Sequence, residues 1–262
     1  MTLNKNNLDI FVCSHKQFKK HFTNVLYKTL SLGNNTELYG DDIYRDDSGD
    51  NISDMNGFYS ELTGIYWIWK NYNIKDYVGI CHYRRYFDFW YNSPDDSEDW
   101  DVILPSIEVF PETVYQHYAK HHNQKDLKCI CDIMIEKYGV SVEIINDVFN
   151  NQNGMYAYNM FIFNKTIFNE YCEFIFGILN DYLKYHNISN MDDVYNMVES
   201  NKNDYLKDNY PNNTIKYQSR IGAFLAERLM NVFVKWKGLK VKTYDVVISE
   251  NKYENIKTTD FL

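Results

Sequence analysis

From Tyr77 to Cys81 apolar side chains occupy both alternating faces of the segment, at Tyr77, Val78, Ile80 and Cys81. A strand that is apolar on both sides must be covered on both sides, and such strands belong to parallel sheets sandwiched between other layers. Similar apolar runs open the chain, "LDIFVCSH" at Leu8 to His15, and recur as "DVILP" and "MYAYNMFIFN" at 101–105 and 155–164. Amphipathic stretches lie between them. In "SELTGIYWIWKNY" the residues Leu62, Ile65, Tyr66 and Trp69 repeat at helical spacing, with Ser60 or Asn56 as a cap. Residues 113–138 read as one helix stopped by Gly139, residues 165–185 carry a stripe through Ile167, Tyr171, Phe174, Ile178 and Tyr182, and "SRIGAFLAERLMNVFVKW" forms a last helix before the closing strand "GLKVKTYDVV". Strands alternating with helices predict a single α/β domain over residues 1–262, Rossmann-like, with a mostly parallel central sheet flanked by helices. Residues 41–56 read as a loop dense in Asp, Asn, Ser and Gly, and the polar, Asn-rich residues 187–217 as a variable loop or lid. No internal repeat is present.

Composition narrows the function classes. The hydrophobic fraction of 45%, with only four Pro and eleven Gly, is that of a globular chain. A formal net charge of −9 argues against a nucleic-acid partner, since phosphate backbones are bound by clustered Lys and Arg. No apolar run approaches the roughly 20 residues of a spanning helix, and the N-terminus lacks a signal-peptide core, so the sequence predicts a cytoplasmic protein. Five Cys without C-x-x-C spacing indicate reduced thiols rather than a disulfide framework or zinc ribbon. The 24 Tyr and 16 Phe suit a sugar or nucleotide pocket, or reflect codon usage in an AT-rich genome.

In open α/β sheets ligands sit beyond the carboxyl ends of strands. Three groups of polar residues qualify: Ser14, His15 and Lys16; His82 to Arg85; and Asn159. On a continuing strand His82 and Arg84 share one face, with Tyr83 and Arg85 on the other. Arg offers planar, permanently charged donors that match phosphate oxygens. The alternative is a buried Arg paired with Asp88 or with Asp41, Asp42, Asp46 or Asp47. Asp99-Trp100-Asp101 spells a metal-binding triplet but precedes its strand, at the wrong end of the sheet, and Asp95-Asp96 and Asp192-Asp193 read as solvated surface; no metal is indicated. His117 and His121, at i and i+4, have metal-binding spacing, against the plainer reading of a solvated helix face. On the last helix Arg220, Glu227 and Asn231 fall within one narrow arc. Glu227 is there either a catalytic base or half of an ion pair, and a helix holds it more firmly than a loop would. Lys235, Lys237, Lys240 and Lys242 form a solubilising edge, or a patch for an anionic membrane surface or lipid diphosphate.

Six blocks, "DDSGDNISDMNGFYSELTGIYWIWKN", "DYVGICHYRRYF", "DVILP", "TVYQHYAKHHNQKDL", "YNMFIFNKTIFNEYCEFIF" and "FLAERLMNVF", occur in this order between Asp46 and Phe233. With them the chain resembles the bacterial capsular- and exopolysaccharide glycosyltransferases long catalogued as a domain of unknown function. The resemblance implies an A-type glycosyltransferase fold, a nucleotide-diphosphate sugar donor and a glycan or lipid-linked oligosaccharide acceptor; some members look like galactofuranosyltransferases using UDP-galactofuranose. It also implies Asp50, Asn51, Ser53 and Glu61 near the nucleotide, His82, Arg84 and Arg85 near the diphosphate, and Asn159, Glu227 and Arg228 near the reacting sugar. His15 joins the donor site from its place after the first strand. The chain departs from the family pattern over residues 18–35.

The resulting expectation is hexosyl transfer from a nucleotide sugar, UDP-linked, without a metal. Glu227 activates the acceptor hydroxyl, as an inverting reaction requires, while Arg84 and His82 stabilise the departing diphosphate. Two rivals stand beside it: a non-catalytic glycan-binding protein of a polysaccharide assembly system, and a metal-dependent phosphoesterase or nuclease using His117, His121 and His122. Peripheral association with the inner face of the membrane would follow from the lysine patch.

Overall fold

The computed structural model describes residues 3–18, 26–33, 43–88, 99–207 and 213–248. Its strands are β1 (Leu8–Ser14), β2 (Tyr27–Ser31), β3 (Ile43–Arg45), β4 (Tyr77–His82), β5 (Arg85–Phe87), β6 (Val102–Pro105), β7 (Glu108–Val109), β8 (Gly154–Met155), β9 (Phe161–Asn164), β10 (Val241–Tyr244) and β11 (Val246–Ile248). Its helices are α1 (Asn56–Tyr59), α2 (Leu62–Asn71), α3 (Val114–His121), α4 (Gln124–Tyr138), α5 (Val142–Phe149), α6 (Lys165–Tyr185), α7 (Met191–Ser200), α8 (Lys202–Tyr205), α9 (Ile215–Gln218) and α10 (Ile221–Lys237). Asp41, Asp42 and the Asp95-Asp96 pair lie outside the described residues.

A nine-stranded sheet runs in the order β10-β6-β9-β4-β1-β2-β3, with β5 and β11 attached beside β4. The pairs β1–β2, β1–β4, β2–β3 and β6–β10 are parallel. Along that path β9 alone runs against both of its neighbours, β4 and β6, while the attached β5 is antiparallel to β4 and β11. This reversal builds the site. The residues leading into β9 arrive where β4 finishes, at the carboxyl edge that parallel sheets use for ligands.

The period-two alternation divides the core in two. Phe11 and Cys13 of β1, Val78 and Ile80 of β4, Val102 and Leu104 of β6, and Phe161 and Phe163 of β9 join the main core beneath the helices. Their neighbours Ile10, Val12, Cys81, Ile103 and Ile162 form a smaller cluster on the opposite face with Leu3, Leu26, Tyr86, Phe87 and Tyr244. Much of the Tyr content is structural: Tyr118, Tyr171 and Tyr182 are fully buried. All five Cys are unpaired, as expected of reduced thiols.

Several local expectations change. Residues 113–138 form two helices rather than one, because the Asn123 side chain accepts the Lys125 N–H at 3.1 Å and restarts the helix as a new N-cap. The stop at Gly139 is real, with a left-handed φ of 69°. Residues 187–217 are not a loop but carry α7, α8 and α9, with 208–212 outside the described residues. A capping box between Asn190 and Asp193 starts α7, and Val194 and Val198, one turn apart, bury its inner face. The lysine edge is largely consumed by ion pairs, Lys235 with Asp147 at 2.7 Å, Lys237 with Glu170 at 2.6 Å, and Lys240 with Asp99. No helix among the described residues is long and apolar enough to cross a membrane.

Candidate active site

Strand β4 stops at His82, turns over Tyr83 and Arg84, and returns as β5 with Arg85 directly opposite His82. The expectation that His82 and Arg84 share a strand face is therefore corrected: His82 and Arg85 are the cross-strand pair, and Arg84 rides in the turn with its guanidinium 4.9 Å from the Tyr83 ring centre. The His82 Nε2–H donates to the Tyr158 carbonyl at 2.6 Å, and burial holds the His82 pKa below its ordinary value, so the ring is neutral at neutral pH.

Tyr158 and Asn159, just before β9, both have left-handed φ, 74° and 50°, a conformation that costs a non-glycine residue about 1–2 kcal/mol. They are held from both sides. The Tyr158 N–H donates to Glu227 Oε1 at 3.0 Å, and the Asn159 amide donates to Glu61 Oε1 at 2.7 Å and to the Ala223 carbonyl at 3.2 Å. A third strained residue, Ser60 with φ of 50°, precedes Glu61 and accepts from Arg220 Nε at 2.8 Å. Three of the four non-glycine residues with left-handed φ among the described residues thus gather around one cleft, where the surrounding hydrogen bonds hold them in place.

Helix α10 supplies the other wall. Glu227 Oε2 accepts from Arg228 Nη1 at 2.8 Å, and burial raises the Glu227 pKa although Arg228 pulls it down. Asn231 fixes the same loop from one turn further on, exchanging two hydrogen bonds with the Tyr156 backbone at 2.9 and 3.0 Å. The arc of Arg220, Glu227 and Asn231 read from the sequence is thus the face of α10 that builds the site.

Two cavities meet here, one of about 1000 Å³ and one of about 370 Å³. Glu61, His82, Arg85, Tyr217 and Arg220 line both and form the junction. Of the residues named from the sequence, His15 and Arg84 line the larger cavity, Glu227 and Arg228 the smaller, and Asn159 is buried behind Glu61. Asp50, Asn51 and Ser53 line neither. Asp50 binds Tyr66 and Asn71 of α2, and Asn51 Oδ1 accepts from Ser53, so the three are engaged in a structural turn against α2. Of the proposed Asp partners for the arginines, Asp46 is instead held by Thr63 and the Gly33 N–H, and Asp47 by Arg45.

Sequence reasoning left Tyr217 and Lys216 out of the site, gave Arg220 only a place on the arc with Glu227, and favoured a solvated face over a metal site for His117 and His121. The structure sets His117, His121 and His122 in the wall of the smaller cavity. His121 Nδ1 bonds the His117 carbonyl at 2.9 Å, and His122 Nδ1 bonds Gln218 Oε1 at 3.1 Å. Among the described residues no three His, Cys, Asp or Glu side chains converge as a metal site, and the Asp99-Trp100-Asp101 triplet is tied to Lys240 at the amino end of β6.

An α/β domain with a mostly parallel central sheet, flanking helices and a cleft at the carboxyl edge defines an A-type glycosyltransferase-like fold. The chain belongs to the family of the domain of unknown function DUF4422, which matches residues 9–210. It is similar to the apo structure of WbbM, a bifunctional glycosyltransferase, with a TM-score of 0.71 and 26% identity over 93% of this chain and 46% of that one. The chain thus spans about half the length of that protein. No curated protein matches it.

Proposed function

We propose that the protein is a glycosyltransferase that moves a hexosyl residue from a UDP-linked donor to a glycan acceptor in surface-polysaccharide synthesis. The observation that carries this reading is the junction, where two guanidiniums, Arg85 and Arg220, and the neutral His82 stand between a large cleft and a half-buried carboxylate of raised pKa. The similarity to a glycosyltransferase structure supports it.

In the proposed reaction the acceptor oxygen attacks the anomeric carbon while its proton passes to Glu227. The bond from that carbon to the phosphate oxygen breaks, and the nucleoside diphosphate leaves with the electron pair. Arg85 and Arg220 neutralise the charge that gathers on the leaving group, the term that most often dominates such catalysis. Arg84 and Lys216 extend the positive wall along the nucleotide, and His15 closes it beside Tyr83, ring centres 5.5 Å apart. Displacement by a single attack inverts the anomeric centre. Galactofuranose is the particular donor sugar that the family resemblance puts forward.

Hydrogen bonds to charged groups contribute about 1.5–3 kcal/mol each. Arg85→Ala and Arg220→Ala are therefore each expected to weaken UDP binding about 10- to 100-fold by titration calorimetry. Arg84→Ala, in the turn, has a smaller effect. If both junction variants bind UDP like the parent, the diphosphate does not sit there.

A further inference from the structure

The two cavities differ in charge. Beyond the shared junction the larger one is lined by Arg84 and Lys216 and by no carboxylate. The smaller one carries Glu108 and Glu227 against the single Arg228, which is itself 3% exposed and committed to Glu227. A phosphate group is favoured in the first and repelled from the second; an uncharged polyol suits the second.

The walls of the smaller cavity match that guest. Phe110 stacks on His117 with ring centres 3.6 Å apart, and Phe224 stacks on His122 at 4.0 Å. The ring surface that lies outside each stack lines the cavity as an apolar wall for the C–H side of a sugar, while nearby carboxylate and imidazole groups bond its hydroxyls. Burial, with Arg228 adding to it, lowers the His117 pKa to about 4, so its ring stays neutral at working pH. A volume of about 370 Å³ lies at the small end of ligand pockets, about 300–1,000 Å³, and encloses a chain end rather than a run of sugars.

We propose that the smaller cavity is the acceptor site, taking the uncharged terminal hexose of a glycan against the Phe110–His117 and Phe224 rings, with Glu108 and His117 reading its hydroxyls and Glu227 receiving the reactive one. The proposal rests on the reading of the larger cavity as the donor site, and the two are separable by experiment.

The wild-type protein is titrated with UDP by calorimetry, and the UDP-loaded protein is screened by saturation-transfer NMR against methyl glycosides of glucose, mannose, N-acetylglucosamine and both ring forms of galactose. Glu108→Gln, at an exposed edge strand, and His117→Phe, which keeps the ring stack, are expected to weaken glycoside binding about tenfold while UDP affinity moves less than about twofold. Lys216→Ala is expected to do the reverse. Glycoside binding unchanged in both Glu108→Gln and His117→Phe overturns the proposal, as does a UDP-loaded wild type that binds no glycoside. Failure of the wild type to bind UDP sinks the donor reading instead, and the same two variants then judge the acceptor cavity by glycoside binding to the free protein.

Discussion

Glu227→Gln is expected to slow sugar transfer by about 10²- to 10⁴-fold, the usual worth of a positioned general base. The amide is isosteric and still accepts a hydrogen bond from Tyr158 or Arg228, so the loss falls on chemistry and not on folding. The parent's rate should rise with pH along an acid limb displaced above the ordinary carboxylate range, because burial raises the Glu227 pKa. That limb should vanish in the variant. The stability effect has the opposite slope. A folded-state pKa above the unfolded one gives a contribution complete below the unfolded value and lost as pH rises through the folded one. The parent therefore pays in stability, at neutral pH, for the ionised base that transfer needs. A Glu227→Gln enzyme within tenfold of the parent rate, with the acid limb intact, would remove Glu227 from the mechanism.

Asp126→Asn is expected to stabilise the protein at pH 8, and to do so by less than half as much at pH 5. Asp126 is 2% exposed in the first turn of α4, and its Oδ1 accepts from Tyr182 of α6 at 2.7 Å and Tyr205 of α8 at 2.9 Å. Its Oδ2 makes no hydrogen bond. Burial lifts its pKa from 3.8 to about 7, against the pull of the two phenols. The shift is upward, so the fold gains most from the protonated form below the unfolded pKa and loses that gain between pH 4 and 7. At 1.36 kcal/mol per pKa unit the loss is on the order of 4 kcal/mol. Asn accepts from both phenols without ever ionising. The difference in melting temperature between variant and parent should grow from pH 5 to pH 8, reaching several degrees. A difference that is flat with pH would mean that Asp126 does not titrate in this range.

Asp126 also shows why part of the fold was hidden in the sequence. Its two phenol partners come from helices 56 and 79 residues along the chain, one of them in the Asn-rich stretch that reads as loop. Composition there disguised α7, whose buried face needs only Val194 and Val198. What was legible had strong local periodicity: β1, β4, the full span of α6, the stop at Gly139 and the arc on α10. The turn at Tyr83 and Arg84 was not legible, because neither residue has positive φ and so neither is a Gly, Asn or Asp that would announce a hairpin. With the turn unseen, period-two logic put Arg84 beside His82 where the structure puts Arg85. The direction of β9 was equally silent, since a strand buried on both faces reads the same either way. The reversal of β9 is what brings Tyr158 and Asn159 to His82, Glu61 and Glu227. His117 and His121 were discounted because a helix periodicity shows which residues share a face, not what that face meets.

The account is tested most directly by the structure of the protein crystallised with UDP. The expected result is a diphosphate at the junction within hydrogen-bonding distance of the Arg85 and Arg220 guanidiniums, with the nucleoside in the larger cavity beside Arg84 and His15. A nucleotide found in the smaller cavity, or a diphosphate bound while Arg85 remains over the Tyr158 ring and Arg220 on Ser60 and Glu61, would contradict it.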